Sequence, residues 1–363
     1  MADIVLRNVS RLFNNVAAVN DITVNFAEGS VTCLLGPSGC GKTTLMRMIA
    51  GLDMPSSGRI LFGTRDVTAL PARKRNVAMV FQYPVMYRTL SVEQNVALPL
   101  SRDRSLDEAG RRARIEDVLD VMQLRDCRTA RIHELDIGTR QRVAVARSIA
   151  RSCEVILFDE PTTNVEVHAK LQLIRAFKSF RARLRQTVVY VTHDQTEAMT
   201  LADQIALMQD GAITQCAPPR TLYDRPESEF GGWFLGNPGM NFLEPSGAHG
   251  GALTFDALPA PLRVPVEGPD GLRLGIRPER VGVTAPGGAG VGGRVLRRTI
   301  TIGGQYLLLI AVGGTTLRAR AMPGAQFQPG DEVFVCCPVE HMAYFRHGRR
   351  LPDQPELVEA AHV

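Results

Sequence analysis

Nine consecutive residues, from Gly36 to Thr44, have the composition and order of a loop that binds phosphate groups. They match the pattern G-x-x-x-x-G-K-[ST], in which glycines let backbone N–H groups turn toward phosphate oxygens. Lys42 can bridge terminal phosphates, and the Thr43 hydroxyl can ligate Mg²⁺. The candidate phosphate-binding residues are Gly36, Pro37, Ser38, Gly39, Cys40, Gly41, Lys42, Thr43 and Thr44. The alternative, an ordinary glycine turn before a helix, does not need Lys-Thr at this spacing.

A second segment places two acids at the end of a strand. Val155 to Phe158 is a continuous apolar run, which is typical of a parallel strand buried on both faces. Asp159 and Glu160 follow it directly, and ligands of open α/β sheets bind at the carboxyl ends of the strands. Asp159 can hold Mg²⁺, and Glu160 can polarise an attacking water. This pair therefore predicts metal binding and water activation beside the phosphate loop.

Three further residues are candidates, and each has a structural alternative. Gln82 follows the strand-like run Val77 to Phe81, so it is either a surface amide or a group that ligates a metal or orients water. His193 follows the apolar run Thr187 to Thr192 and should share a sheet edge with the phosphate loop, where we favour function over a structural role. Phe13 is either a partly buried aromatic or a platform on which a base stacks.

The pattern around these residues predicts an α/β fold. The phosphate loop lies between the apolar run Val31 to Leu35 and a helical pattern over Leu45 to Ala50, which gives strand, loop and helix in order. From Ser91 to Ala150, apolar residues recur at three- and four-residue spacing, which predicts helices. Arginines and acids nearly balance between Ser101 and Asp136, so we interpret this part as a solvated helical insert.

Length and composition describe an ordinary globular protein. The 363 residues suffice for two domains, and 45% apolar with 22% charged residues is typical of soluble chains. A net charge of +5 without a basic block leads us to expect no nucleic-acid partner. We find no signal-peptide pattern and no apolar run near the length of about 18 residues that a membrane span needs. The seven cysteines lack metal-ligand spacing, which indicates free thiols in a reducing cytoplasm.

The composition changes near Pro218, and the remainder of the chain predicts a small β-barrel. Beyond residue 241 the chain is rich in glycine and proline and contains short apolar runs. The candidate strands are Leu272–Ile276, Val295–Thr301, Tyr306–Val312, Thr315–Ala321 and Glu332–Cys337. The Gly313-Gly314 pair predicts a tight hairpin between two of them. We predict one domain over residues 1–235, with a helical subdomain at about 88–152, and a β-rich domain over 236–363.

In order along the chain, GPSGCGKTT, Gln82, ILFDEP and His193-Asp194 resemble the motifs of nucleotide-binding subunits of ABC transporters. The resemblance covers essentially the whole chain and implies a RecA-like P-loop ATPase core with an inserted helical subdomain. It further implies a peripheral position on the cytoplasmic face of the inner (plasma) membrane, beneath two transmembrane permease subunits that receive solute from an extracytoplasmic binding protein. The implied cofactors are ATP and Mg²⁺.

The resemblance assigns a role to each candidate residue. It implies adenine stacking for Phe13, phosphate binding for Gly36–Thr44, contact with Mg²⁺ for Thr43, Gln82 and Asp159, water activation for Glu160, and contact with the γ-phosphate for His193. Gln82 would also sense the permease, whose coupling helix would contact residues 83–90. The segments Gly239–Leu243 and Leu274–Glu279 are similar to the linker and the OB-like TOBE barrel of carbohydrate-importer ATPases. The segment 83–87 is similar to that of importers for glycerol and related polyols.

The signature motif of the family, L-S-G-G-x-x-Q, is altered in this chain. The matching residues keep Gly138 and Gln141 but carry Asp136 and Ile137 in place of serine and glycine. In the family this motif clasps the γ-phosphate of ATP that is bound by the opposite subunit. Two like charges about 4 Å apart repel by about 4 kcal/mol at an effective dielectric near 20, so Asp136 opposes that contact. Asp is also a good helix N-cap, so it keeps the start of the helix intact.

The altered signature beside an intact catalytic set leads to two hypotheses. In the first, this chain is an energy-coupling ATPase of a carbohydrate or polyol importer and pairs with a different ATP-binding subunit that supplies an intact signature. In the second, it is a mainly nucleotide-binding, weakly hydrolytic regulatory subunit of the same kind of transporter. A soluble ATPase of DNA repair or translation is disfavoured, because the chain has one cassette, no basic patch and an importer-like barrel. Residues 163–166, which read T-N-V-E, also differ from the usual S-N-L-D.

Overall fold

The computed structural model describes residues 2–352, except 84, 104, 164, 184–185, 250–251, 265–268, 302, 322–323 and 326. The chain divides into two compact units between Arg220 and Thr221. None of the helices within these described ranges is both long enough and apolar enough to cross a membrane. The predicted α/β core, helical insert and C-terminal β-rich region are all present.

The first unit combines two sheets with six helices. Its strands are β1 Ile4–Phe13, β2 Val16–Phe26, β3 Val31–Leu35, β4 Ser57–Phe62, β5 Arg65–Asp66, β6 Val77–Val80, β7 Val155–Asp159, β8 Thr187–Thr192, β9 Gln204–Gln209 and β10 Ala212–Ala217. Its helices are α1 Lys42–Ala50, α2 Val92–Ala97, α3 Glu108–Val121, α4 Ile137–Ala150, α5 Val167–Arg183 and α6 Gln195–Leu201. A further helix, α7 (Pro219–Asp224), lies at the division between the units.

The central sheet of this unit brings the predicted functional strands together. Its order is β10-β9-β3-β8-β7-β6, and all neighbouring strands are parallel except β10, which is antiparallel to β9. Strand β3 is buried along its whole length, as its continuous apolar sequence predicts. Because β3, β7 and β8 are adjacent and parallel, the phosphate loop, the acids after Phe158 and His193 leave the sheet at the same edge.

Helix α1 lies in the core of the first unit. Its side chains pack in one hydrophobic cluster with strands of the central sheet and with the antiparallel sheet β2-β1-β4-β5. The structure starts this helix at Lys42, three residues before the predicted start at Leu45. The prediction was late because polar Thr43 and Thr44 occupy the first turn, where no apolar periodicity is visible. The helix N-terminus therefore reaches into the phosphate loop.

The helical insert is held by side-chain caps and a small apolar core. Ser91 and Gln94 form a capping box at the start of α2, and Asp107 caps α3. Residues that are fully buried between these helices and α4 are Val92, Val96, Leu119, Val143 and Ala146. Short 3₁₀ turns at Leu98–Arg102, Arg125–Cys127 and Ile132–Glu134 connect them, so the segment is less continuously helical than the periodicity predicted.

The second unit is built from short antiparallel strands. Its elements are α8 Glu229–Phe234, β11 Asn241–Leu243, β12 Gly247–His249, β13 Ala252–Thr254, β14 Leu272–Ile276, β15 Gly282–Thr284, β16 Val291–Ile300, β17 Tyr306–Val312, β18 Thr315–Ala321, β19 Glu332–Cys336, β20 Ala343–Arg346 and β21 Arg349–Arg350. The sheets β15-β19-β16-β17-β18 and β11-β14-β20-β21 share one apolar core, which confirms an OB-like barrel. The hairpin at Gly313 is confirmed, with Val312 paired to Thr315.

The sequence analysis placed the domain boundary after residue 235, whereas the compact units divide after Arg220. Arg277, which is 6% exposed, connects the segment between these two positions to the second unit. Its guanidinium donates to the carbonyl oxygens of Gly232, Leu235 and Tyr223, and it lies 4.0 Å from the centre of the Tyr223 ring. These contacts join the segment before residue 236 to the barrel, and a linker-like composition gives no sign of them.

Candidate functional site

The phosphate loop encloses the Lys42 ammonium. Nζ donates to the carbonyl oxygens of Gly36 and Pro37, each at 2.8 Å, and the residue is 5% exposed. Pro37, Ser38 and Gly39 form the exposed tip of the loop, and Thr44 is half-buried in the first turn of α1. The loop thus holds a cation at its centre, directly before a helix N-terminus that also attracts anions.

Two glycines of the loop are required by close backbone contacts. A Cβ at Gly36 would lie 2.3 Å from the carbonyl oxygen of Met208, and a Cβ at Gly41 would lie 2.2 Å from that of Ala18. Gly41 also has φ of 101°, a left-handed conformation that suits glycine. The glycine pattern therefore reflects the space available on the side of the loop that faces the protein.

Cys40 is the buried thiol of the loop. It is 5% exposed, and burial raises its pKa although the nearby Lys42 ammonium opposes the shift. Its Sγ lies 3.8 Å from Lys42 Nζ. At neutral pH the side chain is a thiol that fills space beneath the loop.

Asp159 and Thr43 meet at the edge of the sheet. Thr43 Oγ1, in the first turn of α1, donates to Asp159 Oδ1 at 3.3 Å. Burial raises the pKa of the Asp159 carboxyl, and the adjacent Glu160 raises it further, while the Thr43 hydrogen bond opposes both. A hydroxyl and a half-buried carboxylate side by side are hard oxygen ligands, which is the set that Mg²⁺ takes in proteins.

Glu160 and His193 are brought into contact by the ends of β7 and β8. The Glu160 backbone has φ of 44°, and its N–H donates to the Val191 carbonyl at 3.0 Å. The carboxylate Oε2 accepts from Thr163 Oγ1 at 3.0 Å and lies 3.2 Å from His193 Nδ1. With Glu160 ionised, this contact requires a proton on Nδ1, which leaves Nε2 as the other hydrogen-bonding atom of the ring.

Gln82 and Phe13 lie apart from this cluster. Gln82 is half-buried in a bend two residues beyond β6, the edge strand beside β7. Among the described residues it forms no hydrogen bond with Thr43 or Asp159. Phe13 ends β1, is 46% exposed, and has the Arg11 guanidinium 4.6 Å from its ring centre. Phe13 is thus exposed, whereas Gln82 is half-buried.

The altered signature forms the start of α4. Asp136 is its N-cap: Oδ1 accepts from the Thr139 N–H at 2.8 Å and Oδ2 accepts from the Thr139 hydroxyl at 2.7 Å. These hydrogen bonds lower the pKa of the carboxyl, so it is ionised at neutral pH. Ile137 is 61% exposed, while Gly138 and Gln141 are buried. The prediction that Asp136 caps the helix is confirmed.

Two residues that the sequence analysis did not single out lie behind His193. Lys170 of α5 contacts both Asp194, directly after the histidine, and Glu197 of α6. Glu197 is completely buried. The sequence offered only a lysine and a glutamate, residue types that are also typical of exposed helix faces. Of the T-N-V-E segment, residue 164 lies outside the described residues.

Comparisons with known proteins place this site in a family. Residues 19–163 match the family model described as ABC transporter, and residues 274–345 match that of the TOBE domain. A putative ATP-binding protein of Brucella suis is 35% identical over 97% of this chain and 100% of its own length. The sn-glycerol-3-phosphate import ATP-binding protein UgpC of Paracoccus denitrificans is 36% identical over 97% of this chain and 99% of that protein.

One further relative and one solved structure extend the comparison. The Fe(3+) ions import ATP-binding protein FbpC of Agrobacterium fabrum is 38% identical over 90% of this chain and 94% of that protein. The structure of cbiO1 from Clostridium perfringens, part of the ABC transporter complex cbiONQ, superimposes with a TM-score of 0.56 at 25% identity. That superposition covers 60% of this chain and 89% of the other. The chain belongs to the ABC transporter family, as an ATP-binding subunit that hydrolyses ATP.

Proposed function

We propose that this chain powers an importer for a carbohydrate or polyol, and that Glu160 and His193 carry out hydrolysis of ATP bound at Gly36–Thr44. The observation that carries the proposal is the contact between Glu160 Oε2 and His193 Nδ1 at 3.2 Å, at the same sheet edge as the phosphate loop. A carboxylate there can orient and polarise water, while Nε2, the other ring nitrogen of the histidine, can contact a terminal phosphate.

Mg²⁺ is the proposed metal cofactor of this site. The Thr43 hydroxyl and the Asp159 carboxylate are 3.3 Å apart and would hold the ion, with the Gln82 amide as a further oxygen ligand. When bound, the ion neutralises charge on the phosphate oxygens. Lys42 binds the phosphates from the loop, and the exposed ring of Phe13 offers an apolar face on which adenine can stack.

The solute class rests on the relatives and on the second unit. Relatives named for sn-glycerol-3-phosphate import match this chain over nearly its full length, and the TOBE match, residues 274–345, covers strands β15 to β19 and most of β14 and β20. The Gly239–Leu243 and Leu274–Glu279 segments, which resemble those of carbohydrate importers, overlap β11 and β14 of the barrel. A polyol or its phosphate is therefore the solute class that we propose over Fe(3+), for which another relative is named.

A groove beside Gln82 is the proposed docking surface for the permease. It has a volume of about 210 Å³ and lies between β6 and α4, with Met79, Phe81, Val85 and Arg147 among its lining residues. Next to it Tyr83 is 72% exposed and Tyr87 is 50% exposed. An exposed apolar surface of this kind marks an interaction site. With the permease docked there, the chain would lie peripherally on the cytoplasmic face of the inner membrane.

The geometry of Asp136 supports a heterodimer with a second ATP-binding subunit. Both carboxylate oxygens are fixed by Thr139, so an ionised group stays at the helix start, where the family presents donors to ATP of the partner subunit. Ile137 adds an exposed branched side chain at the next position. This chain thus contributes its own phosphate loop, acids and histidine to one competent site, and a weakened clasp to the other.

The ionised Asp136 at the start of α4 also supports a second candidate function, in which the chain mainly binds nucleotide and hydrolyses it weakly. The two candidates differ in which chain performs hydrolysis within the assembled transporter. We expect the chain alone to hydrolyse ATP slowly, and the complex with the ATP-binding subunit encoded beside it to hydrolyse ATP with strong dependence on Glu160.

Single-turnover ATP hydrolysis separates the candidates. In the complex, Glu160→Gln should abolish turnover while ATP binding persists, because the amide cannot accept a proton from water. Unchanged turnover in that variant would support the regulatory candidate. Vigorous hydrolysis by the lone wild-type chain that is lost in Glu160→Gln would contradict the heterodimer.

A further inference from the structure

A polar cluster lies directly behind His193, with Glu197 completely buried and the Lys170 and Asp194 side chains partly buried. Lys170 Nζ, on the first turns of α5, lies 2.5 Å from Asp194 Oδ2 and 2.6 Å from Glu197 Oε1. Burial by itself lowers the pKa of Lys170, but the hydrogen bonds to the two carboxylates outweigh it and raise the pKa above its usual value. The side chain is therefore a firmly held cation between two anions of another element.

Glu197 is the centre of this cluster. It is completely buried, and its oxygens accept hydrogen bonds from Thr192 Oγ1 at 2.7 Å, from Tyr190 O–H at 3.1 Å and from the Thr162 hydroxyl. A buried carboxylate persists only where donors and a counter-charge satisfy it. The partners come from β8, from the turn after Glu160, and from α5, so the carboxylate joins three separate segments.

The cluster holds the backbone on both sides of His193. Thr192 before it bonds to Glu197, and the Asp194 N–H after it donates to Thr192 Oγ1 at 3.0 Å. Asp194 also caps α6 by accepting from the N–H groups of Thr196 and Glu197. The histidine side chain itself is 54% exposed, so its position is set by these neighbours more than by packing of the ring.

We propose that Lys170 is a positioning residue for ATP hydrolysis: by bridging Asp194 and Glu197, it fixes the turn that holds His193 Nδ1 against the Glu160 carboxylate. The inference rests on the proposed roles of Glu160 and His193. Lys170 is well separated in sequence from both, and its ammonium contacts neither of them. It acts through Asp194 and Glu197 alone.

The first test is steady-state ATP hydrolysis by the transporter assembled with its second ATP-binding subunit. Lys170→Met should lower kcat by about 10- to 100-fold, the usual effect of a small misplacement of catalytic groups, and leave KM for ATP within about twofold. Lys170→Arg keeps the cation and should retain most of kcat, because a guanidinium can bridge two carboxylates. Lys178→Met, on the exposed side of the same helix, is the matched control and should behave as wild type.

A second variant separates positioning from folding. Removing Lys170 alone leaves the buried Glu197 without its counter-charge, so the single variant loses stability. In Lys170→Met/Glu197→Gln the buried charge is gone, and the thermal midpoint should recover. The double variant still lacks the bridge to Asp194, so kcat should stay low. Recovery of kcat together with stability would overturn the proposal.

Amide hydrogen exchange in the full-length chain tests the same inference without hydrolysis. In the double variant we expect exchange at Asp194, Thr196 and Glu197 to be faster by about tenfold or more, while amides of β3 keep their wild-type rates. Unchanged exchange at those three amides would overturn the positioning role, whatever the enzyme activity. If exchange at those amides accelerates but the wild-type complex does not hydrolyse ATP, the proposed function is wrong. The proposed role of Lys170 in catalysis is then wrong as well.

Discussion

Asp136 shows how a single carboxylate can preserve a helix and change a site. Each oxygen accepts one hydrogen bond from Thr139, which satisfies an N–H group at the start of α4. The residue therefore keeps the local fold that a serine would give, while it adds a negative charge at the helix start.

Replacement of Asp136 separates the cap from the charge. Asp136→Ala should lower the free energy of unfolding by about 1 kcal/mol, whereas Asp136→Asn should stay close to wild type because asparagine also caps helices well. Urea denaturation at neutral pH measures both values. Equal stability of the alanine and asparagine variants would show that the cap does not contribute.

The same cap predicts a pH dependence. Hydrogen bonds from Thr139 lower the pKa of Asp136 in the folded state, so its stabilisation is complete above the ordinary carboxyl value near 4 and is lost as pH falls through the lower folded-state pKa. The stability difference between wild type and Asp136→Ala should be constant from about pH 8 to about pH 5 and shrink below about pH 4. The difference between Asp136→Asn and Asp136→Ala should not shrink, because the amide does not titrate there. Denaturation at a series of pH values measures both differences.

At the scale of elements, the two ends of α1 are fixed by different contacts. Its N-terminus opens into the phosphate loop through Gly41. At its C-terminus the fully buried Arg75 donates to the carbonyl oxygens of Met48 and Ile49, and also to Thr68 and Leu70. Burial lowers the pKa of Arg75 to about 10, which leaves it charged at neutral pH. The helix that presents Lys42 and Thr43 is thus anchored by a cation at the negative end of its dipole.

Helices α4 and α5 are in close contact where the altered signature begins. A Cβ at Gly138 would lie 2.5 Å from the Cβ of Ala169, the residue before Lys170. Gly138→Ala should therefore lower the free energy of unfolding by about 1–3 kcal/mol, since the two helices must separate. Chemical denaturation measures the loss.

A double variant is the control for that contact. Gly138→Ala/Ala169→Gly removes the clash from the other side, and it should recover a large part of the stability lost in Gly138→Ala. Failure to recover would show that the glycine is needed for another reason, such as the backbone conformation at the start of α4.

For the whole molecule, the intact and altered motifs belong to different ATP sites of the proposed heterodimer. Lys42, Asp159, Glu160 and His193 lie at one edge of the central sheet of this chain, while Asp136 starts a helix of the insert. In that heterodimer, the site built on this chain would receive its signature motif from the partner subunit. The chain can therefore carry every residue that its own ATP site takes from it and still weaken the ATP site of its partner.

The assignment of the one competent ATP site to this chain predicts that the two subunits contribute unequally to ATP hydrolysis. Glu160→Gln in this chain should lower ATP hydrolysis of the heterodimer by about 100-fold or more, since the competent site loses its base. The corresponding substitution in the partner subunit should lower it by less than about twofold. Steady-state hydrolysis of the two single-variant complexes measures the contrast, with the double variant as background. Equal losses would contradict the assignment of one competent site to this chain.

The sequence by itself determined the chemistry and the kind of fold. The order Gly36–Thr44, Asp159-Glu160 and His193, each after an apolar strand, was sufficient for a parallel sheet with a phosphate site at its edge, because strand burial and glycine loops leave local patterns. The tertiary structure alone decided which side chains meet. The Glu160–His193 contact, the Arg75 cap on α1, the Arg277 contacts with the segment before residue 236, and the Lys170 bridge all join residues distant in sequence. Such contacts depend on how strands and helices are placed in space, and neither spacing nor composition records that placement.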